Sequence, residues 1–265
     1  MSISSRFFEM KRGRQPITVL TAYDAPTAKA LAAAGIDLIL VGDSLGTNFL
    51  GYASEQEVTL ADIAHHVRAV RRGAPETPIL ADLPYATYDT PADAVANARS
   101  LIAAGADMVK FEGARPEIVR ALCDAGIPVS GHIGLEPQHH VEKRLKGKTV
   151  EAANQLLADA IALDEAGIAM LILELIPEVV ATRVSRAIAA PTIGIGAGRE
   201  TDGQVLVITD VLGYTDAAFR HNRRFAEVGA AVREAAATYV DDVRERRFPA
   251  AGNVFAMPKA ELALI

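Results

Sequence analysis

Eight short apolar runs, separated by longer helical patterns, limit the possible folds of this chain more than any other feature. The runs occupy residues 17–22, 37–43, 78–84, 108–113, 128–134, 170–176, 192–198 and 205–213. Runs that are apolar at consecutive positions are typical of strands in a parallel sheet whose faces are covered by helices. The regular alternation of strand and helix therefore predicts an α/β protein, a single (β/α)8 TIM-type barrel over residues 1–265. The pattern further predicts a last helix over about 220–244 and an irregular tail from Phe248.

The predicted helix boundaries agree with this alternation. Asp24 is placed to cap a helix over 25–34, Thr59 with Asp62 resembles a capping box, and Thr90 precedes a proline at a first helical position. Pro177 is expected to open a helix after the sixth run. Glycines in the left-handed conformation are expected to end four helices, at Gly35, Gly105, Gly126 and Gly167.

A doubly wound nucleotide-binding sheet is the main structural alternative. The glycine-rich segment GIGAG at 194–198 is followed by the polar residues RETDGQ and not by a helix. A dinucleotide-binding fingerprint requires a helix directly after its glycines. The barrel is therefore the favoured fold.

Composition narrows the possible partners and compartment. The chain has 265 residues, half of them apolar, and a net charge of -6 without a long run of like charge, so nucleic acid is not an expected partner. A single cysteine, Cys123, cannot form an internal disulfide, which fits a reducing compartment. The first residues lack an apolar stretch of signal-peptide length, and no apolar run reaches the roughly 20 residues of a membrane span. A cytoplasmic protein without a membrane partner is expected.

Ionisable residues gather at the carboxyl ends of the predicted strands. Six of them interrupt or follow the apolar runs: Asp43, Asp82, Lys110, Glu112, His132 and Glu174. The carboxyl ends of barrel strands meet at one mouth, where the active sites of such barrels lie. Lys110 and Glu112 are two residues apart and share a strand face, which is predicted to point into the barrel. One polar site at this mouth is therefore expected.

Three of these residues, Asp43, Asp82 and Glu112, form a candidate metal site. Each aspartate taken singly could instead be a helix cap or a turn residue. Three carboxylates about 4 Å apart would repel by roughly 4 kcal/mol per pair at an effective dielectric constant near 20, so a bound cation is expected. An all-oxygen ligand set favours magnesium over zinc.

Glu174 differs from the other acids because its neighbours on both sides are apolar. We expect a desolvated carboxylate, which would suit a general base that removes a carbon-bound proton. A buried structural ion pair is the alternative. His132 could orient substrate or bond a backbone group, and we assign it a supporting role. The pairs His65-His66 and His139-His140 are expected on the solvated surface.

Six segments together resemble one enzyme family across nearly the whole chain. They are LTAYDAPTAKALAAAGIDLILVGDSLG, PILADLPYATY, GADMVKFEG, GIPVSGHIGLEPQ, LILELIP and PTIGIGAGRETDGQVLV, in this order. The family is ketopantoate (3-methyl-2-oxobutanoate) hydroxymethyltransferase. The segment 138–148 departs from the family pattern, since it is short and lacks a Gly-Gly-Tyr element.

The resemblance implies a reaction and a set of site residues. The implied reaction transfers a hydroxymethyl group from 5,10-methylenetetrahydrofolate to 3-methyl-2-oxobutanoate through a metal-stabilised enolate, giving 2-dehydropantoate for pantothenate synthesis. Asp43, Asp82 and Glu112 match the Mg2+ site. Ser44 and Lys110 match residues that bind the 2-oxo acid, and Glu174 matches the catalytic base. A homo-oligomer is also implied.

Two other functions are alternatives to the transferase. A related barrel of the isocitrate lyase and phosphoenolpyruvate mutase group would break a C–C or P–C bond, but such lyases carry a reactive cysteine in a basic loop, and Cys123 lies in a helical pattern. A regulatory barrel that only binds a metabolite would have no need of a desolvated base. The transferase is the favoured function.

Overall fold

The structure is a computed structural model that describes residues 3–140, 142–214, 219–262 and 264. The chain divides into two compact units, one formed by Met1–Ile208 with Phe219–Asn222 and the other by Thr209–Ala218 with Arg223–Ile265. All of the strands described below belong to the first unit. The assignment of residues 1–265 to one domain stays a prediction.

Eight parallel strands form a closed barrel in sequence order, which confirms the predicted TIM-type fold. The strands are β1 (Ile17–Thr21), β2 (Leu38–Val41), β3 (Ile79–Asp82), β4 (Met108–Lys110), β5 (Val129–Gly134), β6 (Met170–Glu174), β7 (Thr192–Ile195) and β8 (Gly203–Leu206). The ring closes where β8 pairs with β1, with Ile17 opposite Gly203 and Leu20 opposite Leu206.

The helices follow the strands in the expected alternation. They are α1 (Ile3–Arg12), α2 (Ala25–Ala33), α3 (Leu60–Gly73), α4 (Pro91–Ala104), α5 (Pro116–Asp124), α6 (Val150–Ala166), α7 (Glu178–Ala187), α8 (Ile208–Val211), α9 (Val228–Arg244) and α10 (Lys259–Leu262). A π-helical turn covers Gly46–Leu50, and 3-10 turns cover Glu55–Glu57 and Ala251–Asn253. In the described part of the chain, no helix combines the length and hydrophobicity that a membrane crossing requires.

The predicted caps are present. Asp24 accepts a hydrogen bond from the Thr27 amide, and Thr59 forms a reciprocal capping box with Asp62 at the start of α3. Thr90 accepts from the Asp93 amide at the start of α4, whose first residue is Pro91. Positive φ angles of 81°, 116°, 74° and 104° occur at the glycines that end four helices, Gly35, Gly105, Gly126 and Gly167.

Two predictions about the last part of the chain were wrong. The eighth strand is Gly203–Leu206 and not 205–213, because the Ile208 amide bonds the Thr21 hydroxyl and the chain turns into α8. The last long helix begins at Val228 and not near 220, because the amides of Phe225 and Val228 bond the carbonyls of Val211 and Leu212 instead. The tail after Phe248 also contains α10 and one 3-10 turn.

The barrel interior is apolar except at its carboxyl end. Phe7 and Met10 of α1 join one buried cluster with inward side chains of the strands, among them Leu80 and Met108. Because side chains alternate along a strand, the next inward positions after Leu80 and Met108 are Asp82 and Lys110, which pair in register. The fold thus places these two charged residues directly above the apolar interior.

Barrel closure depends on the absence of a side chain at Gly203. A Cβ atom there would lie 2.3 Å from the Ile17 carbonyl oxygen and 2.7 Å from Ile193 Cδ1. We expect Gly203→Ala to lower the free energy of unfolding by about 1–3 kcal/mol through overpacking, measured by denaturant unfolding. Gly252→Ala, where a Cβ would meet nothing within 4 Å, should leave it nearly unchanged. Equal effects of the two changes would contradict the prediction.

Candidate active site

The structure brings the ionisable residues predicted from sequence to the carboxyl ends of neighbouring strands. Asp82, Lys110 and Glu174 are the last residues of β3, β4 and β6. Asp43 and Glu112 each lie two residues beyond a strand end, and His132 lies within β5. Five of the six side chains are buried, namely Asp43, Asp82, Lys110, Glu112 and His132. The side chain of Glu174 is 17% exposed.

Lys110 lies at the centre of this group. Its Nζ is 3.2 Å from Asp82 Oδ2, 3.9 Å from Glu112 Oε1 and 3.2 Å from His132 Nδ1. Burial alone would lower the pKa of the Lys110 ammonium, but the carboxylates of Asp82, Glu112 and Asp43 outweigh it and raise that pKa above its ordinary value. Lys110 is therefore a fixed positive charge at working pH.

Asp82 carries one carboxylate oxygen with partners and one without. Oδ2 accepts from the Asp43 amide at 3.1 Å and contacts Lys110. Oδ1 is buried and has no hydrogen-bond partner among the described residues. Burial raises the pKa of Asp82 to about 7, with Lys110 opposing the rise. Burial likewise raises the pKa of Glu112 well above its usual range. Lys110 alone therefore does not compensate for the burial of these carboxylates.

The contacts of His132 fix the state of its ring. A lysine ammonium can only donate, so Nδ1 accepts from Lys110 and the ring proton is assigned to Nε2. Burial, helped by the nearby Lys110 charge, lowers the pKa of His132 and keeps the ring neutral. Nε2 lies 3.3 Å from Glu174 Oε2, although the alignment is not that of a hydrogen bond. His132 therefore connects Lys110 to Glu174.

Hydrogen bonds fix the backbone around Glu174, and apolar side chains enclose its carboxylate in part. Its carbonyl accepts from the Leu135 amide at 2.8 Å, and the amide of Leu175 bonds the Ile195 carbonyl at 2.9 Å. Leu175 has a φ of 45°, an uncommon value for a residue other than glycine, which turns the chain sharply after β6. The neighbouring residues Leu173 and Ile176 are buried, while the Glu174 side chain keeps 17% of its surface exposed, so the enclosure expected from its apolar neighbours is partial.

Ser44 and the histidine pairs complete the comparison with the sequence prediction. The Ser44 hydroxyl shares a 2.8 Å hydrogen bond with the buried Tyr23 hydroxyl, and burial raises the pKa of Tyr23 above its ordinary value. His66, expected on the surface, is half-buried and bonds the Tyr23 carbonyl. His139 is exposed beside Tyr85, in agreement with the prediction.

One residue of the site was missed by the sequence analysis. Gln138 is fully buried, and its amide Nε2 donates to Asp43 Oδ2 at 2.6 Å. Its position in a polar loop after Pro137 gave no signal of burial, because the path of that loop depends on tertiary contacts. Among the described residues, no three His, Cys, Asp or Glu side chains already stand in the geometry of a metal-binding group.

Charged side chains buried at the carboxyl ends of a closed parallel barrel define an enzyme active site. A sequence profile described as ketopantoate hydroxymethyltransferase matches residues 2–251. The chain belongs to the ketopantoate hydroxymethyltransferase family.

Curated relatives agree with this assignment. A 3-methyl-2-oxobutanoate hydroxymethyltransferase of Geobacillus sp. (strain WCH70) is 44% identical over 98% of this chain and 96% of its own length. The protein of the same name from Roseiflexus sp. (strain RS-1) is 47% identical over 96% of this chain and 94% of its own. Both alignments include all of the site residues, since they extend over nearly the entire chain.

Solved structures share the fold at low identity. Phosphoenolpyruvate phosphomutase from Streptomyces platensis subsp. rosaceus has a TM-score of 0.62 and 13% identity, covering 98% of this chain and 94% of its own. Phosphonopyruvate hydrolase in complex with oxalate and Mg++ has a TM-score of 0.62 and 11% identity, covering 96% and 93%. These likenesses concern the barrel alone.

The raised pKa of Asp82 predicts a pH-dependent effect of Asp82→Asn on the metal-free protein. The folded carboxyl, with a pKa of about 7, keeps its proton between about pH 4 and 7, where the unfolded carboxyl has lost it. Wild-type stability should therefore fall as the pH rises through this window. Asparagine does not titrate, so Asp82→Asn should melt a few degrees above wild type at pH 8, a gain that shrinks toward pH 4.

Thermal melts in EDTA across this pH range would measure the difference. A melting-temperature difference that does not change with pH would contradict the raised pKa of Asp82.

Proposed function

We propose that this chain transfers a hydroxymethyl group from 5,10-methylenetetrahydrofolate to 3-methyl-2-oxobutanoate, giving 2-dehydropantoate, with Mg2+ as its metal ion. The names of the curated relatives support the reaction. The observation that carries the proposal is the chain of contacts from Lys110 through His132 to the partly exposed carboxylate of Glu174. We further propose that the enzyme acts in the cytoplasm as a homo-oligomer.

The donor set at the barrel mouth fits a hard divalent cation. Three buried carboxylates, from Asp43, Asp82 and Glu112, are accompanied by the single positive charge of Lys110. The buried Asp82 Oδ1 has no donor among the described residues, which is costly unless a cation or its water occupies the position. Magnesium usually binds one or two carboxylates directly and keeps several waters, so direct ligation by all three residues is not required.

A bound Mg2+ would supply the Lewis acidity that polarises the ketone of the 2-oxo acid and acidifies its neighbouring C–H bond. Lys110 contributes a fixed ammonium that donates a hydrogen bond to oxygen as negative charge develops there. Ser44, whose hydroxyl shares a hydrogen bond with Tyr23, is the proposed contact for the substrate's carboxylate. Asp43 and Asp82 complete the proposed substrate-binding side of the site.

Glu174 is the proposed general base. It removes the proton from C3 of 3-methyl-2-oxobutanoate, and the resulting enolate carbon forms a C–C bond to the methylene carried by the folate. Water supplies the hydroxyl oxygen as both C–N bonds to that methylene break, and the C3 proton and one proton of the water end on N5 and N10 of the departing tetrahydrofolate. The partial exposure of Glu174 leaves room for substrate, unlike the other five ionisable side chains. His132, neutral and with Nε2 at 3.3 Å from Glu174 Oε2, is the residue proposed to orient this carboxylate.

The contacts of Cys123 argue against the lyase alternative. The thiol lies on α5 and donates to the Gly167 carbonyl at 3.3 Å. Burial raises the pKa of this thiol, which disfavours the reactive thiolate. Cys123 therefore lacks the setting of a catalytic cysteine.

Product analysis tests the proposed reaction. Purified enzyme with Mg2+, 3-methyl-2-oxobutanoate and 5,10-methylenetetrahydrofolate should form 2-dehydropantoate, detected by mass spectrometry, and EDTA should abolish its formation until Mg2+ is restored. Cys123→Ser should retain activity, because that residue has no part in the site. Full turnover in EDTA would remove the metal from the proposal. Cleavage of a 2-hydroxy diacid without formation of 2-dehydropantoate would replace the transferase by a lyase.

A further inference from the structure

Gln138 connects two of the proposed metal-binding carboxylates by direct hydrogen bonds. It lies four residues beyond the end of β5, and its side chain is completely buried. Its backbone amide donates to Glu112 Oε2 at 2.9 Å, while its side-chain Nε2 donates to Asp43 Oδ2 at 2.6 Å. A single residue therefore restrains acids that follow two different strands.

The amide group of Gln138 has one favourable orientation. Its second Nε2 hydrogen is donated to the Leu83 carbonyl at 3.0 Å, and its Oε1 accepts from the Tyr88 hydroxyl. Reversing the amide would place Oε1 against the Asp43 carboxylate and the Leu83 carbonyl, neither of which can donate. The buried network thus assigns both ends of the amide and keeps the donor directed at Asp43.

The backbone at Gln138 is held as well. Its carbonyl accepts from Gln56 Nε2 at 2.7 Å, so the residue is fixed on its amide, carbonyl and side chain. Gln56 belongs to the 3-10 turn Glu55–Glu57, which lies in the segment between β2 and α3, as Asp43 does. The loop after β5 is therefore anchored to the segment after β2.

A common pattern results for the three carboxylates. One oxygen of each accepts a hydrogen bond: Asp43 from Gln138, Asp82 from the Asp43 amide, and Glu112 from the Gln138 amide. The other oxygen, Asp43 Oδ1, Asp82 Oδ1 or Glu112 Oε1, accepts no hydrogen bond from the described residues. Donors that bond one oxygen of a metal-binding carboxylate orient that carboxylate and leave its other oxygen for the ion.

We propose that Gln138 is a positioning residue that orients Asp43 and Glu112 for binding a divalent cation. This inference rests on the proposed function, because it assumes that the three carboxylates hold the metal. Without the side-chain amide of Gln138, the Asp43 carboxylate can rotate. Its orientation must then be fixed each time a metal ion binds. The loss should therefore appear in the affinity for metal, in the absence of any substrate.

Gln138→Met tests the proposal, because methionine is close to glutamine in size but has no amide, and the backbone donor to Glu112 remains. Isothermal titration of Mg2+ alone into the metal-free protein should give a dissociation constant raised by about 10- to 100-fold, the usual effect of losing a hydrogen-bond partner of a metal ligand. Tyr88→Phe removes the donor to Gln138 Oε1, together with a 3.3 Å contact of the same hydroxyl with His139 Nε2, and should weaken Mg2+ binding in the same direction by a smaller factor.

The matched control is Gln155→Met. Gln155 is an exposed glutamine on α6 whose Nε2 donates to Asp159 Oδ1 at 2.8 Å, outside the site. It should leave Mg2+ affinity unchanged. If Gln138→Met does not fold, as judged by circular dichroism, Tyr88→Phe decides alone.

The possible results separate the inference from the proposed function. Wild-type affinity in both Gln138→Met and Tyr88→Phe, with product still formed by wild type, would overturn the role of Gln138 and leave the function standing. A wild-type protein that binds no Mg2+ would overturn this inference together with the metal site.

Discussion

The burial of three carboxylates beside one lysine is the constraint on which the site depends. Lys110 contacts Asp82 directly and Glu112 at longer range, yet one ammonium cannot balance three acids away from water. Burial consequently raises the pKa of both Asp82 and Glu112. Such an arrangement lowers the stability of the fold unless another positive charge binds. A stability cost of this kind is common at functional sites. A divalent cation would reduce this cost and would also supply Lewis acidity for the reaction.

The barrel creates this concentration of charge through strand geometry. Alternate side chains enter the interior, so the apolar Leu80 and Met108 are followed one step later by Asp82 and Lys110. His132 contacts Lys110 through Nδ1 and Glu174 of β6 through Nε2, and the Glu174 side chain is partly exposed to solvent. The carboxylates of the proposed cation site and the proposed base, Glu174, are thereby separated within one site. Positioning a base across from an electrophilic centre is what enolate chemistry requires.

Most of the barrel could be predicted from the sequence, because periodicity and caps are local. Asp82, Lys110 and Glu174 were identifiable because a charged residue ending an apolar run is conspicuous. Gln138 was not, since its burial results from contacts between two loops. The left-handed turn at Leu175 likewise has no local signal, as leucine rarely adopts it. The eighth strand was misplaced because an apolar run does not distinguish a strand from a buried helix.

The most direct test of the central claim, that Glu174 removes a carbon-bound proton at this site, is isotope exchange without the folate. Enzyme, Mg2+ and 3-methyl-2-oxobutanoate in deuterated water should exchange the C3 hydrogen, followed by proton NMR. Glu174→Gln keeps the shape of the side chain but not its basicity, and should slow exchange by roughly 10²–10⁴-fold. Exchange at the wild-type rate in Glu174→Gln would show that another group is the base and would contradict the mechanism.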